Sequence, residues 1–353
     1  MLPWFLLLFF ADAFDAAYRA GLAALDNNDL RAAESHLESA SKIDPRNAGV
    51  WLALAQTYRK LEKTQASQAA ASAAEGLAKE PAVLHGLAIF YSEASDFAKA
   101  AQLEGRYARS DPRAYPAAAD LYLRAGDEAA AVSVLKTAIE RSPYDEQFYF
   151  DLAQLQLKQQ NFTAALEALL AGRKIFDKSA QLELAAGVAY YGLRRFPEAI
   201  ESFLRTIRLD PGAEQPYVFL GRMLDQAEDK LPEIVEAFAG FARSAPDQYL
   251  SSFLYGKALT ASEPRQAEAM FRKSILRNSQ FWESRFELGL LLESEHRFED
   301  AAAELRRAAE LNPKDPAVHY RLARVYDRLG KTAEARSERE QYTKLSAPGP
   351  GVK

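Results

Sequence analysis

The sequence contains no cysteine. This absence excludes disulfides, cysteine nucleophiles, zinc sites built from thiolates, and the attachment of c-type haem. It also excludes a lipoprotein anchor, which needs an acylated cysteine. The redox compartment stays open, because a chain without cysteine suits either side of a membrane.

Motifs that carry catalysis or cofactor binding are missing as well. No glycine-rich loop of the P-loop or dinucleotide-binding type occurs, so nucleotide binding has no support. The four histidines, at positions 36, 85, 296 and 319, form no i, i+4 pair and no H-E-x-x-H metal helix. We therefore expect no catalytic residue, no metal and no cofactor.

Blocks of like charge are missing too. The 44 basic and 49 acidic residues give a net charge of −5 and are spread along the chain, so nothing indicates a nucleic-acid partner. No stretch rich in Gly, Ser or Pro interrupts the 353 residues before Ala347. With 48% hydrophobic residues the chain can bury a large core, and we interpret it as one continuous domain.

The chain is rich in one recurring pattern, which is clearest from Glu287 to Pro313. Leu288, Gly289 and Leu292 fall on one face of a predicted helix, and Ala301, Leu305 and Ala308 fall on one face of a second. The polar run 293–297 separates them, and Pro313 ends the second helix because it has no N–H to donate. This is the pattern of a helical hairpin whose small residues allow the two backbones to approach closely.

The pattern recurs along the chain with a nearly constant period. The residues that close each unit lie 31 to 36 residues apart: Pro45, Pro81, Pro112, Pro143, Asp177, Pro211, Pro246, Ser279 and Pro313. The small residue of the first helix returns as Gly21, Ala55, Ala88, Ala119, Ala153, Gly187, Gly221, Gly256, Gly289 and Ala323.

This order of residues resembles the tetratricopeptide repeat, whose period is about 34 residues. The resemblance implies an all-α fold, a right-handed α-solenoid superhelix of about ten stacked helix-turn-helix hairpins over residues 14–345. The last unit turns polar at Arg336, Glu338 and Arg339, as a terminal repeat with no successor should. Residues 346–353 are expected to form a flexible tail.

Residues 1–13 differ from the repeats. An apolar run from Met1 to Phe10 precedes Ala11-Asp12-Ala13, which has the A-x-A form of a signal peptidase site. The run is too short to span a bilayer, and no Lys or Arg precedes it. Two interpretations stay open: a cleaved signal peptide of an exported protein, periplasmic or extracellular, or an apolar segment capping the first hairpin of a cytoplasmic one. We expect no transmembrane helix in the mature chain.

The resemblance also implies that the first helices line a concave groove. Its facing positions lie three residues before and one residue after each small residue. Aromatic and aliphatic residues with scattered polar groups at these positions suit a peptide held by apolar pockets, although the same side chains could instead pack between hairpins. The candidate residues for binding a partner are Tyr18, Gln56, His85, Phe150, Gln154, Val188, Arg222, Lys257, Phe286, Tyr320 and Arg324.

Three functions are compatible with these observations. The first is a non-catalytic scaffold whose groove binds a protein or peptide, either in a bacterial-type cell envelope or as a cytosolic adaptor in a multiprotein complex. The second is an enzyme whose site is hidden in the array, which would require titratable groups clustered in one pocket. The third is a partner of envelope proteins, recruited after export.

Overall fold

Helices make up the regular structure of this protein. The computed structural model describes residues 4–347, and their side chains from residue 12 onward. Residues 1–3 of the predicted leader and residues 348–353 of the predicted tail lie outside the described residues. Within 4–347 the structure contains α-helices and short 3₁₀ turns but no strand, which confirms the all-α prediction.

The chain folds as two compact units that divide between Gln159 and Gln160. In unit 1, each of four helical hairpins pairs an odd-numbered helix with the even-numbered helix that follows it, and a ninth helix ends the unit. The helices are α1 (Trp4–Asp26), α2 (Leu30–Ile43), α3 (Ala48–Lys60), α4 (Thr64–Leu77), α5 (Pro81–Glu93), α6 (Phe97–Tyr107), α7 (Tyr115–Arg124), α8 (Glu128–Arg141) and α9 (Glu146–Lys158).

Unit 2 begins with one helix and continues with five hairpins. Its helices are α10 (Phe162–Arg173), α11 (Ala180–Gly192), α12 (Phe196–Leu209), α13 (Glu214–Arg222), α14 (Leu231–Ser244), α15 (Tyr249–Leu259), α16 (Pro264–Arg277), α17 (Trp282–Ser294), α18 (Phe298–Leu311), α19 (Pro316–Arg328) and α20 (Thr332–Ser346). The seventh repeat departs most from the pattern: α13 has nine residues, and two 3₁₀ turns at 224–226 and 228–230 lead into α14.

Local sequence explains where these helices begin. Asp29, Asn47, Asp96 and Asp127 each accept a hydrogen bond from a backbone N–H in the first turn of the following helix. These side chains satisfy donors that have no partner inside the helix. Proline occupies the first or second position of several other helices, where its missing N–H costs nothing: Pro81, Pro116, Pro197, Pro232, Pro264 and Pro316.

The hairpin turns share one backbone device. A single residue in the left-handed region recurs between the first and second helices at Asn28, Glu62, Ser95, Gly126, Arg194, His296 and Gly330. Only Gly adopts this conformation without a steric cost. The turn geometry is therefore imposed by the packing of the two helices, because most of these residues do not favour it on their own.

In several hairpins, a small residue on the first helix faces a large one on the second. A Cβ built on Gly289 would lie 2.6 Å from Leu305 Cγ, and one on Gly21 would lie 2.6 Å from Leu37. Leu305 and Leu37 are fully buried. The predicted close approach of backbones is therefore present in both units, and it sets the position of each helix in its pair.

The two units fill their cores with different side chains. Alanine dominates the hairpins of unit 1, where the buried residues of α4 are Ser67, Ala70, Ala71 and Ala74. In unit 2, three of the corresponding second helices, α12, α14 and α16, bury phenylalanine, at Phe203, Phe238 and Phe271. Phe203 stacks on Phe219 of the next hairpin at 4.8 Å between ring centroids. Larger core side chains thus join successive hairpins of unit 2.

Replacing Gly289 with Leu tests the close approach. The new side chain would overlap the buried Leu305, so we expect the free energy of unfolding to fall by about 1–3 kcal/mol. The matched control is Gly76→Leu on α4, because a Cβ at Gly76 meets no atom within 4 Å. Thermal unfolding should show a lower midpoint for Gly289→Leu and an unchanged or higher one for Gly76→Leu. Equal midpoints for the two variants would contradict the assigned packing.

Candidate functional site

A cleft lies on the first-helix face of unit 1, between α7 and α9. Its volume is about 610 Å³, and apolar atoms form most of its wall. Its lining residues are Pro116, Ala119, Asp120, Leu123, Leu135, Asp151, Gln154, Leu155, Leu157 and Lys158. This volume falls in the range of cavities that bind ligands in proteins.

A second cavity adjoins the first, because Asp120 lines both. It has a volume of about 290 Å³ and lies between α5 and α7, where its wall includes His85, Ala88, Ile89 and Ala117. Ile89 is 45% exposed, which is unusual for a residue of its size and apolarity. We call the two cavities together the α5–α7–α9 groove.

The spacing rule from the sequence locates this groove. His85 and Ile89 stand three before and one after Ala88, and both line it, as does Gln154, which follows Ala153. Applied to Ala119, the same rule selects Pro116 and Asp120. Both line the groove, yet neither is among the candidate residues proposed from the sequence. The same spacing rule, applied to the fourth repeat, would have identified both residues from the sequence.

Two of the four carboxylates at the groove have a cationic or histidine partner, and two do not. Glu93 pairs with Arg59, and Glu104 Oε2 lies 2.9 Å from His85 Nδ1. In the part of the chain that the structure describes, Asp120 and Asp151 form no ion pair. Asp151 accepts a hydrogen bond from Gln147 Nε2 at 2.7 Å.

The apolar surroundings of Asp151 perturb its carboxyl group. Burial against the apolar wall raises its pKa, and the hydrogen bond from Gln147 offsets part of that rise. The cause is desolvation, which disfavours the charged form. At neutral pH the groove therefore holds a carboxylate that would gain from a cation beside it.

The remaining candidates of unit 1 are half-buried. Tyr18 stacks on Phe14 and extends toward α3, where a Cβ on Gly49 would lie 2.7 Å from its Oη. Gln56 and Phe150 are partly covered on α3 and α9, and neither lines the α5–α7–α9 groove. The structure thus brings His85 and Gln154 to one groove and leaves the other three outside it.

In unit 2, candidate residues lie beside a smaller and more polar cavity. It measures about 330 Å³ and is lined by Leu290, Glu293, Ser294, His296, Phe298, Arg321, Arg324 and Arg328. Glu293 lies 3.7 Å from Arg321 and 3.5 Å from Arg324, so one carboxylate serves two guanidinium groups. Tyr320 is 44% exposed, with the Arg324 guanidinium 5.9 Å from its ring centroid.

The other candidates of unit 2 have internal contacts. Lys257 Nζ lies 3.5 Å from Glu287 and donates a hydrogen bond to the Gly221 carbonyl at 3.2 Å. Phe286 packs against Trp282 at 5.9 Å between ring centroids. Arg222 is exposed, with its guanidinium 6.0 Å from the Phe219 ring, and Val188 is half-buried.

His319 on α19 is buried. It is 6% exposed; its Nδ1 lies 2.6 Å from Glu338 and its Nε2 lies 3.0 Å from the Pro313 carbonyl. Other repeats have a different donor at the same position. The side chains of Trp51, Tyr149 and Tyr217 each donate a hydrogen bond to the carbonyl of the proline six residues earlier. His319 is therefore a core residue that holds α19 on the preceding turn.

Buried acids elsewhere belong to hairpin packing. Glu183 on α11 is 1% exposed and lies 2.9 Å from Arg173 of α10 and 3.0 Å from Arg205 of α12. Burial raises its pKa despite the two arginines. Across the described residues, no group of three or more His, Asp or Glu side chains is placed to hold a metal ion.

Comparison with known sequence families decides the classification. One tetratricopeptide-repeat model matches residues 18–81, 184–249 and 257–315, and a second matches 122–187 and 292–344. The chain belongs to the tetratricopeptide-repeat family. Proteins of this family are interaction scaffolds that bind protein or peptide partners. No curated protein matches the sequence.

Solved structures of other tetratricopeptide-repeat proteins are similar to this chain at low identity. PilW, a type IV pilus biogenesis factor, is 18% identical, with 57% of this chain and 93% of that chain covered and a TM-score of 0.48. Yeast Tom70 is 14% identical, with 96% and 93% covered and a TM-score of 0.41. The hetero-tetramer Cut9-Hcn1 of the APC/C is 13% identical, with 94% and 93% covered and a TM-score of 0.45.

Among residues 4–347, no helix combines the length and the apolar character needed to cross a bilayer.

Replacing Asp151 with Asn tests the electrostatics of the groove. The raised pKa means that Asp151 binds a proton more tightly in the folded state than in the unfolded state. The ionised carboxylate therefore lowers the stability of the folded state once the pH rises above the pKa of Asp151 in the unfolded chain. We expect Asp151→Asn to unfold at a higher temperature than the wild type at pH 7, and the difference to vanish below about pH 3.8.

Thermal unfolding monitored by circular dichroism between pH 3 and pH 8 measures this difference. Glu140→Gln is the control, because Glu140 is exposed on α8 and has no burial penalty to relieve. A wild type more stable than Asp151→Asn at pH 7 would show that the Gln147 hydrogen bond outweighs desolvation.

Proposed function

We propose that this protein is a non-catalytic scaffold that holds a segment of a partner protein in the α5–α7–α9 groove. The observation that carries this proposal is the pair of adjoining cavities, of about 610 and 290 Å³, at positions that the repeat pattern assigns to the groove face. Enclosure of this size lets a partner bury several apolar side chains while a few polar groups fix its orientation.

The composition of the wall supports a peptide segment as the ligand. Ile89 and Ala117 are exposed, and Leu123 and Leu157 are half-buried, so apolar surface is open to a partner. Exposed apolar surface inside a concavity is the usual mark of a protein-binding site. Polar lining groups such as Gln154 and His85 can fix the orientation of a bound segment.

A displayed library of random 12-residue peptides tests the proposal. Peptides enriched on the whole protein should lose roughly tenfold in affinity for Ile89→Ser, because losing part of one buried isoleucine contact amounts to about 1.4 kcal/mol. The control is Leu276→Ser on α16, since Leu276 is 80% exposed and does not line the α5–α7–α9 groove. Equal affinities for wild type and Ile89→Ser, or a library without enriched peptides, would contradict the proposed site.

We propose further that the protein is exported and works with proteins of the cell envelope. The support is the apolar run of residues 1–10 followed by Ala11-Asp12-Ala13. Helix α1 passes through this point without interruption, and Phe14 packs on the core of unit 1, so a chain starting at Phe14 would keep its first hairpin.

Amino-terminal sequencing of the protein isolated from fractionated native cells tests export. A mature end at Phe14 in the periplasmic or extracellular fraction is the expected result. Protein that retains Met1 in the cytosolic fraction would refute export and favour a cytosolic adaptor.

A further inference from the structure

The α5–α7–α9 groove combines an open apolar wall with two carboxylates that have no counter-charge. Asp120 lies on α7 where the two cavities meet, and Asp151 lies on α9 in the larger one. Lys158 is the one cation of the larger cavity's lining, and it forms no ion pair with either aspartate within the described residues. Of the other groove carboxylates, Glu93 forms an ion pair with Arg59, and Glu104 shares a hydrogen bond with the His85 ring.

Filling this groove with a purely apolar segment would be unfavourable. Such a segment would remove water from Asp120 and Asp151 without replacing the hydration they lose, and an uncompensated buried charge costs several kcal/mol. Asp151 is already half-buried, and burial has raised its pKa. An occupant that carries a positive charge would reverse this penalty and gain a charge-assisted hydrogen bond.

A lysine or arginine side chain matches both parts of the wall. Its aliphatic stem can lie on apolar surface such as Leu123 and Leu157 while its charged end reaches a carboxylate. An acidic segment would instead meet two like charges, which disfavours its binding.

We propose that the α5–α7–α9 groove selects partner segments in which a lysine or arginine stands among apolar residues, with Asp120 and Asp151 receiving the cation. This inference rests on the proposed function and adds the class of partner.

The experiment repeats the 12-residue library selection on the whole protein and on the double variant Asp120→Asn/Asp151→Asn. We expect peptides enriched on the wild type, and competing with one another for it, to contain Lys or Arg next to apolar residues. In an enriched peptide, replacing that Lys or Arg with Gln should weaken binding to the wild type roughly tenfold. The same replacement should change binding to the double variant by less than about twofold.

Two controls separate this charge effect from others. The variant Glu140→Gln/Glu167→Gln removes two exposed carboxylates outside the groove and should keep the full preference for the basic residue. Binding of the basic peptide should also weaken with added salt, and this dependence should diminish in Asp120→Asn/Asp151→Asn.

Each outcome discriminates between the two proposals. Enriched peptides without basic residues would overturn the charge selectivity and leave the groove as a binding site. The same conclusion would follow if the Gln replacement in the peptide lowered the affinity equally for the wild type and for Asp120→Asn/Asp151→Asn. If Glu140→Gln/Glu167→Gln lost the preference for basic peptides, the preference would come from the overall charge of the protein. That result would also overturn the charge selectivity of the groove. A library without any enriched peptide would overturn the proposed function together with this inference.

Discussion

The packing of several hairpins depends on a close contact between a small residue of the first helix and a large one of the second. At Gly289 and Leu305, and at Gly21 and Leu37, no room remains for a Cβ on the first helix. In the hairpin of Gly187 and Phe203, this contact holds the two helices close together, and the turn between them adopts the left-handed conformation at Arg194. The steric cost of the turn is offset by the burial of apolar surface along the pair.

The same contact determines which side chains remain for binding. Once the small residue faces the second helix, the residues three before and one after it point to the first-helix face. In unit 1, this geometry places His85, Ile89, Pro116, Asp120 and Gln154 along one groove. The groove is therefore a consequence of hairpin packing, and its chemistry can vary from repeat to repeat without changing the fold.

Some buried or half-buried acids of unit 2 have cationic partners, unlike Asp120 and Asp151 of the groove within the described residues. Glu183 pairs with Arg173 and Arg205, and Glu287 pairs with Lys257. Such pairs compensate the cost of desolvation inside each unit. Asp120 and Asp151 lack this compensation, so they contribute nothing evident to folding and are available to a partner. Unpaired charge in an apolar cavity is a feature that folding alone would not require.

The sequence by itself determined the helices, their pairing and the family, because period, small residues, caps and prolines act through neighbours within one hairpin. Its spacing rule also reached His85 and Gln154. Only the tertiary structure decided that His319 is buried between Glu338 and the Pro313 carbonyl, that Lys257 is engaged by Glu287, and that Asp120 and Asp151 stay unpaired. Burial and charge pairing depend on side chains that adjacent helices bring together, and the pattern of a single repeat carries no information on which partner the next repeat supplies.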